Sequence, residues 1–137
     1  IAAENALGGN LAMSYETVPG CIFTAPEVAN VGLTEAQARD KGVDFRADTV
    51  QVRTMGKAQA MGEIAGQAKT ISDPASGRLL GVHLVGPHAT ELIGEAALAL
   101  KTGCSVHDLA ETIHPHPTLS EIMAEVAAKA SGRPLHG

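Results

Sequence analysis

Residues 67–103 run QAKTISDPASGRLLGVHLVGPHATELIGEAALALKTG, and the change of period inside this stretch decides the fold. Its first half holds two β-capable runs, about Gln67 to Ile71 and Leu79 to Val85. Asp73-Pro74-Ala75-Ser76-Gly77 between them is strong turn chemistry, which predicts a hairpin. Leu80, Val82 and Leu84 alternate and are expected on the core face, leaving His83 on the opposite face as a packed or surface histidine. From Thr90 the period turns helical: Leu92, Ile93, Ala96, Ala97 and Leu100 form a stripe that Gly103 closes. Leu98 falls instead with Glu91 and Glu95, either singly exposed or part of a second buried surface.

Upstream, Cys21-Ile22-Phe23 after Pro19-Gly20 is short, apolar and strand-like, and a second extended segment is expected near Val28 to Leu33. Thr34 and Gln37 form a capping box for a helix that Gly42 ends. Val43 to Thr54 reads as a long strand whose alternation changes phase between Phe45/Ala47 and Val50/Val52, so a bulge is expected there. Met55 to Gly66 contains Gly56, Gly62 and few large apolar residues, and reads as a connecting loop. Downstream, Ser105 with Asp108 starts a short helix to about Thr112. A final helix carries Leu119, Ile122, Met123, Val126 and Ala130 and stops at Gly132. Strands run together and helices run together, which makes the fold class α+β: a mostly antiparallel sheet with helices packed on one side. Residues 1–7 read as a helix without a start signal, stopped by Gly8-Gly9. Residues 1–9 are therefore assigned to the tail of a preceding domain, and residues 10–137 to the domain itself.

A chain of 137 residues with 45% hydrophobic content is long enough for one domain with a real core. With 2% aromatic residues and no Trp, that core must be aliphatic and alanine-rich. The net charge of −5 comes without a Lys/Arg cluster, which argues against nucleic acid or an acidic membrane as partner. No apolar run reaches the roughly 18 residues of a transmembrane helix. Cys21 and Cys104 form no metal-spaced or C-x-x-C set, and two free thiols point to a reducing compartment, cytoplasm or organelle matrix.

Chemistry concentrates at His114-Pro115-His116-Pro117-Thr118-Leu119-Ser120-Glu121. Histidine is the side chain that titrates near neutrality, and prolines on both sides of His116 fix the backbone that aims it. Three readings stand side by side. Thr118 and Glu121 match a capping box for the final helix. The Glu121 carboxylate could instead accept a ring N–H of His116 and make it a tuned acid–base group. His114 and His116, completed by Glu121 or His107, could hold a metal. His88 sits in a Gly-Pro-His loop, and His136 in a tail expected to be mobile. No glycine-rich phosphate loop and no recognised nucleophile motif accompany them.

Three stretches occur in a telling order: PGCIFTAPEVANVGLTEAQA at 19–38, GQAKTISDPASGRLLGVHLVGPHATELIGEAALAL at 66–100, and HPHPTLSE at 114–121. Together they resemble the C-terminal dimerisation domain of the FAD-dependent pyridine nucleotide–disulfide oxidoreductases, over almost the whole chain. The HPT-x-x-E element is shared with glutathione reductase and its relatives, while GPHATELI and TLSE lean toward the dihydrolipoamide dehydrogenase branch. The resemblance implies that His116 is the catalytic base and Glu121 the carboxylate that orients it. It implies that the backbone at His114 and Pro117 approaches the flavin of a partner subunit in a homodimer.

FAD and a redox disulfide would lie in the N-terminal domain of the other chain, and His116 would move protons for a lipoamide-like dithiol whose electrons pass to NAD+. Residues 1–9 would be the last helix of the FAD domain. The helix at 90–102 and the final helix would supply much of the two-fold interface, which would give Leu98 a use. The chain departs from the family by lacking the redox Cys pair, the FAD-binding Gly motif and the NAD domain. No tightly held cofactor, no metal and no dehydrogenase turnover are therefore expected of it alone. The alternatives are a dimerisation module of a glutathione or mercuric reductase-like enzyme, and a metal-binding domain.

Overall fold

The computed structural model describes residues 1–136. Gly20–Ile22 (β1), Glu27–Gly32 (β2), Arg46–Gln51 (β3), Gln67–Ser72 (β4) and Leu79–Gly86 (β5) make one sheet. It is antiparallel throughout, in the order β1-β2-β5-β4-β3. The predicted hairpin β4–β5 lies at its centre. Its turn closes as the sequence dictates: Asp73 Oδ1 accepts the Ser76 backbone N–H and hydroxyl, each at 2.7 Å.

Among the described residues six α-helices accompany the sheet: Ala2–Ala6 (α1), Glu35–Asp40 (α2), Gly56–Met61 (α3), Ala89–Thr102 (α4), Val106–Glu111 (α5) and Glu121–Ala130 (α6). The predicted capping boxes at Thr34/Gln37 and Ser105/Asp108 are both formed. On one face of the sheet α4 packs over β2 and β5, and α6 over β3 and β4. Ala29, Val31, Val50, Ala68, Val82 and Leu84 from the sheet meet Ile93 and Ala96 of α4 and Ile122, Met123 and Val126 of α6. Small side chains let these layers approach closely, so an almost ring-free core still fills. The short α2 lies over the opposite face, where Glu35 accepts from Lys69 Nζ at 2.6 Å.

Three expectations are corrected. In β5 it is Leu79 that joins Val82 and Leu84 in the main core cluster, because Ile71 pairs with Gly81 while Ser72 pairs with Leu79; Leu80 is buried as well, but outside that cluster. Leu80 is the extra residue of a bulge at the hairpin end. The next residue must be glycine: a Cβ on Gly81 would lie 2.1 Å from the Leu33 carbonyl oxygen. Strand β3 runs in unbroken register against β4 and needs no bulge. No phase change occurs: Asp48 and Val50 are buried on one face of the strand, exposed Ala47 lies on the other, and Val52 is buried in the 3-10 turn at Val52–Thr54 that follows. The loop expected at 55–66 contains α3, which buries Ala58 and ends on Gly62 in the left-handed region.

Candidate functional site

Segment 112–120 links α5 to α6 and carries the histidines. The side chain of His116 is 78% exposed, and its Nδ1 lies 2.8 Å from Oε1 of Glu121. An ionised carboxylate only accepts, so Nδ1 donates. The neutral ring then carries its hydrogen on Nδ1 and presents a bare Nε2 lone pair to the surroundings. Glu121 is held below the usual carboxylate range, first by the Thr118 backbone N–H and then by His116, against a desolvation that opposes both.

The choice between cap and histidine partner dissolves in the geometry. Oε2 of Glu121 accepts the Thr118 N–H at 2.8 Å while Oε1 takes His116. One carboxylate has lone pairs enough for both. The rest of the expected capping box does not form. Helix α6 begins at Glu121 with Ser120 in the cap position and no side-chain cap. The Thr118 hydroxyl turns back into the loop, donating to the Pro115 carbonyl at 2.7 Å and meeting the Ser120 hydroxyl at 2.8 Å.

His114 does not join its neighbour. Its side chain is only 7% exposed, and its Nε2 reaches Oε1 of Glu95 on α4 at 2.9 Å. Pro117 is exposed and follows His116 through a cis peptide bond. Among the described residues no group of three His, Cys, Asp or Glu side chains is close enough to hold a metal. His83 is a packed histidine whose Nε2 donates to the Leu33 carbonyl at 2.9 Å. His136, expected in a mobile tail, places Nδ1 2.5 Å from Oε1 of Glu125, a buried carboxylate on α6.

Sequence reasoning missed Glu95 as a partner for His114, and no local spacing announces it. It also missed Glu27, which accepts from Thr90 at the start of α4. A surface depression of about 520 Å³ is lined by Pro26, Ile64, Pro87 and His88 rather than by the histidine segment.

Fold and site together define an α+β domain whose best-placed acid–base group faces outward instead of into a cavity of its own. The chain belongs to the pyridine nucleotide-disulphide oxidoreductase dimerisation domain family, which residues 18–127 match. It is 43% identical over 136 residues to a dihydrolipoyl dehydrogenase of Chlamydia muridarum, covering 99% of this chain and 29% of that protein. A dihydrolipoyl dehydrogenase of Thermus scotoductus is 44% identical over the same length, again with 99% and 29% covered. This chain thus spans less than a third of these relatives' length.

Among solved structures, LpdA from Mycobacterium tuberculosis superposes with a TM-score of 0.85 at 30% identity, over 93% of this chain and 28% of that one. The HOCl-induced flavoprotein disulfide reductase RclA from Escherichia coli gives 0.82 at 29% identity, over 92% of this chain and 30% of its own. The α+β class and the resemblance read from the sequence both stand.

Proposed function

We propose that this chain is the dimerisation domain of a dihydrolipoyl dehydrogenase-like enzyme and supplies His116 and Glu121 to an active site completed by a second subunit. The observation that carries the reading is the His116–Glu121 contact of 2.8 Å, made through Nδ1, with the ring otherwise exposed. That arrangement leaves Nε2 as a proton acceptor aimed away from the domain. Oxidation of a dithiol proceeds through its thiolate, so a base beside the thiol has a direct task. Glu121 keeps the ring oriented and stabilises the imidazolium after the proton arrives. The relatives named dihydrolipoyl dehydrogenase support a dihydrolipoyl group as the dithiol, and the family's description supports a pyridine nucleotide, read here as NAD+, as its redox partner.

FAD belongs to this reading but not to this chain's own residues. The backbone donors at two strand-to-helix junctions are already satisfied internally, by Gln37 and Thr34 at α2 and by Glu27 at α4. The contribution of this chain to the flavin is limited to the backbone at His114 and Pro117. The redox disulfide likewise lies elsewhere, since Cys21 and Cys104 are both free. Helix α1, which buries none of its residues, fits the reading of residues 1–9 as the last helix of an FAD domain. Alone, the chain is expected to give no lipoamide-dependent NADH signal.

A second reading is favoured by the likeness to RclA: the same domain serving a reductase for another disulfide. His116→Gln in the full-length dimer tests the first. Dithiol oxidation should fall by about 10²–10⁴ with the dimer intact. Unchanged turnover would sink the proposal, and turnover on other disulfides but not on lipoamide would favour the second reading.

A further inference from the structure

His114 uses both of its ring nitrogens. Nδ1 lies 2.9 Å from the Thr112 carbonyl oxygen, and Nε2 lies 2.9 Å from Oε1 of Glu95. A carbonyl can only accept, and so can an ionised carboxylate. With Glu95 ionised, both contacts are satisfied when the ring carries a hydrogen on each nitrogen. This makes a second histidine–carboxylate pair, two residues from the first, whose histidine is far better buried, with side-chain exposures of 7% for His114 and 78% for His116. The function proposed above has no use for it.

His116 itself touches the domain through its contact with Glu121, so its aim depends on the backbone beneath it. That backbone has few free torsions. Pro115 fixes its own φ, and Pro117 restricts His116. The Pro115 carbonyl is held by the Thr118 hydroxyl at 2.7 Å. An anchor at His114 is therefore felt directly at the His116 Cα. Helix α4, fourteen residues long and packed on β2 and β5, is the rigid body to which the anchor is made.

We propose that Glu95 and His114 are positioning residues for His116: their half-buried pair ties the 114–117 segment to α4 and sets the direction in which Nε2 is presented. The inference rests on the acid–base role proposed for His116. His114 also adds its field to those that keep Glu121 ionised, so the two pairs reinforce one another.

The test is made in the full-length dimeric enzyme, with Glu95→Ala, Glu95→Gln and His116→Gln side by side. Glu95→Ala is expected to lower kcat for dithiol oxidation about tenfold while KM stays within about twofold, because aim is lost and binding is not. Glu95→Gln, which keeps an acceptor oxygen at the same reach, should recover most of the loss. Wild-type kcat in Glu95→Ala, or equal damage in both Glu95 variants, overturns the positioning role while His116→Gln remains inactive. Full turnover in His116→Gln removes the underlying function and this inference with it. Nitrogen-15 spectra of the wild-type chain need no variant: both His114 ring hydrogens should exchange slowly with water. Exchange as fast as that of a free imidazole would overturn the anchor.

Discussion

Glu27 on β2 caps helix α4 through Thr90: one carboxylate oxygen accepts the Thr90 backbone N–H at 2.9 Å and its hydroxyl at 2.7 Å. The helix has no side-chain cap of its own, because the residue before it, His88, adopts φ 55 and contributes none. A strand residue thus satisfies donors that the first turn of any helix leaves open. These two bonds, the hydroxyl first, hold Glu27 below the usual carboxylate range.

Glu27→Ala is expected to lower the thermal midpoint by a few degrees. Thr90→Val should cost less, since the backbone N–H remains. The double variant should be little worse than Glu27→Ala alone, because both single changes cut the same contact. Additive losses in scanning calorimetry would show that Glu27 acts through something other than Thr90.

Glu121 gives a pH prediction with a definite sign. A carboxylate with a depressed folded-state pKa stabilises the fold fully above its unfolded value, about 4.3, and that contribution disappears as pH falls through the folded value. Glu121→Gln should therefore be less stable than wild type at neutral pH, and the two should converge as pH falls below the unfolded value and through the depressed folded one. Urea midpoints measured from pH 7 down to pH 3 check this. A gap that stays constant would mean that charge contributes nothing to the role of Glu121 in stability.

Thr70 sits on the helix-covered side of β4, paired with Val82 and Asp48, and its hydroxyl is buried without a hydrogen-bond partner. An unpaired buried hydroxyl costs more than an apolar group of the same shape. Thr70→Val is expected to raise stability by about 1 kcal/mol. A fall in the denaturation midpoint would point to a partner for the hydroxyl in solution.

Leu98 is 63% exposed on α4, one turn beyond Glu95, and Ile113, 96% exposed, directly precedes His114. Two apolar side chains therefore flank the Glu95–His114 pair on the outer surface. In a family defined by dimerisation, this patch is the expected seat of a second copy. Leu98→Asp should shift sedimentation equilibrium toward monomer, with at least about a tenfold weaker dimer if Leu98 anchors the contact. An unaltered dimer would place the interface elsewhere.

Features with a short-range cause were legible in the chain. The hairpin at 67–86 follows from Asp73 and Ser76, which bond each other across three residues. The boxes at Thr34/Gln37 and Ser105/Asp108 follow from side chains that reach the backbone of their own first turn. The stripe on α4 follows from a period of 3.6. Helix α3 escaped because its glycines weaken local propensity, while buried Met55 and Ala58 hold it from outside. The bulge at Leu80 escaped because alternation alone cannot show where a strand takes in an extra residue.

For the site, the sequence by itself determined that His116 and Glu121 would stand five positions apart at a helix entrance, and left open whether the carboxylate would cap the helix, meet the imidazole or help to hold a metal. Only the tertiary structure decided that Glu121 serves the loop and the imidazole at once, one oxygen to each. Only it brought Glu95 to His114 across 19 positions and Glu27 to Thr90 across 63. Side-chain hydrogen bonds reach about 3 Å. Where the partners lie on one turn, the sequence places them within that distance. Where they lie on different elements, the packing of α4 against the sheet has to bring them there.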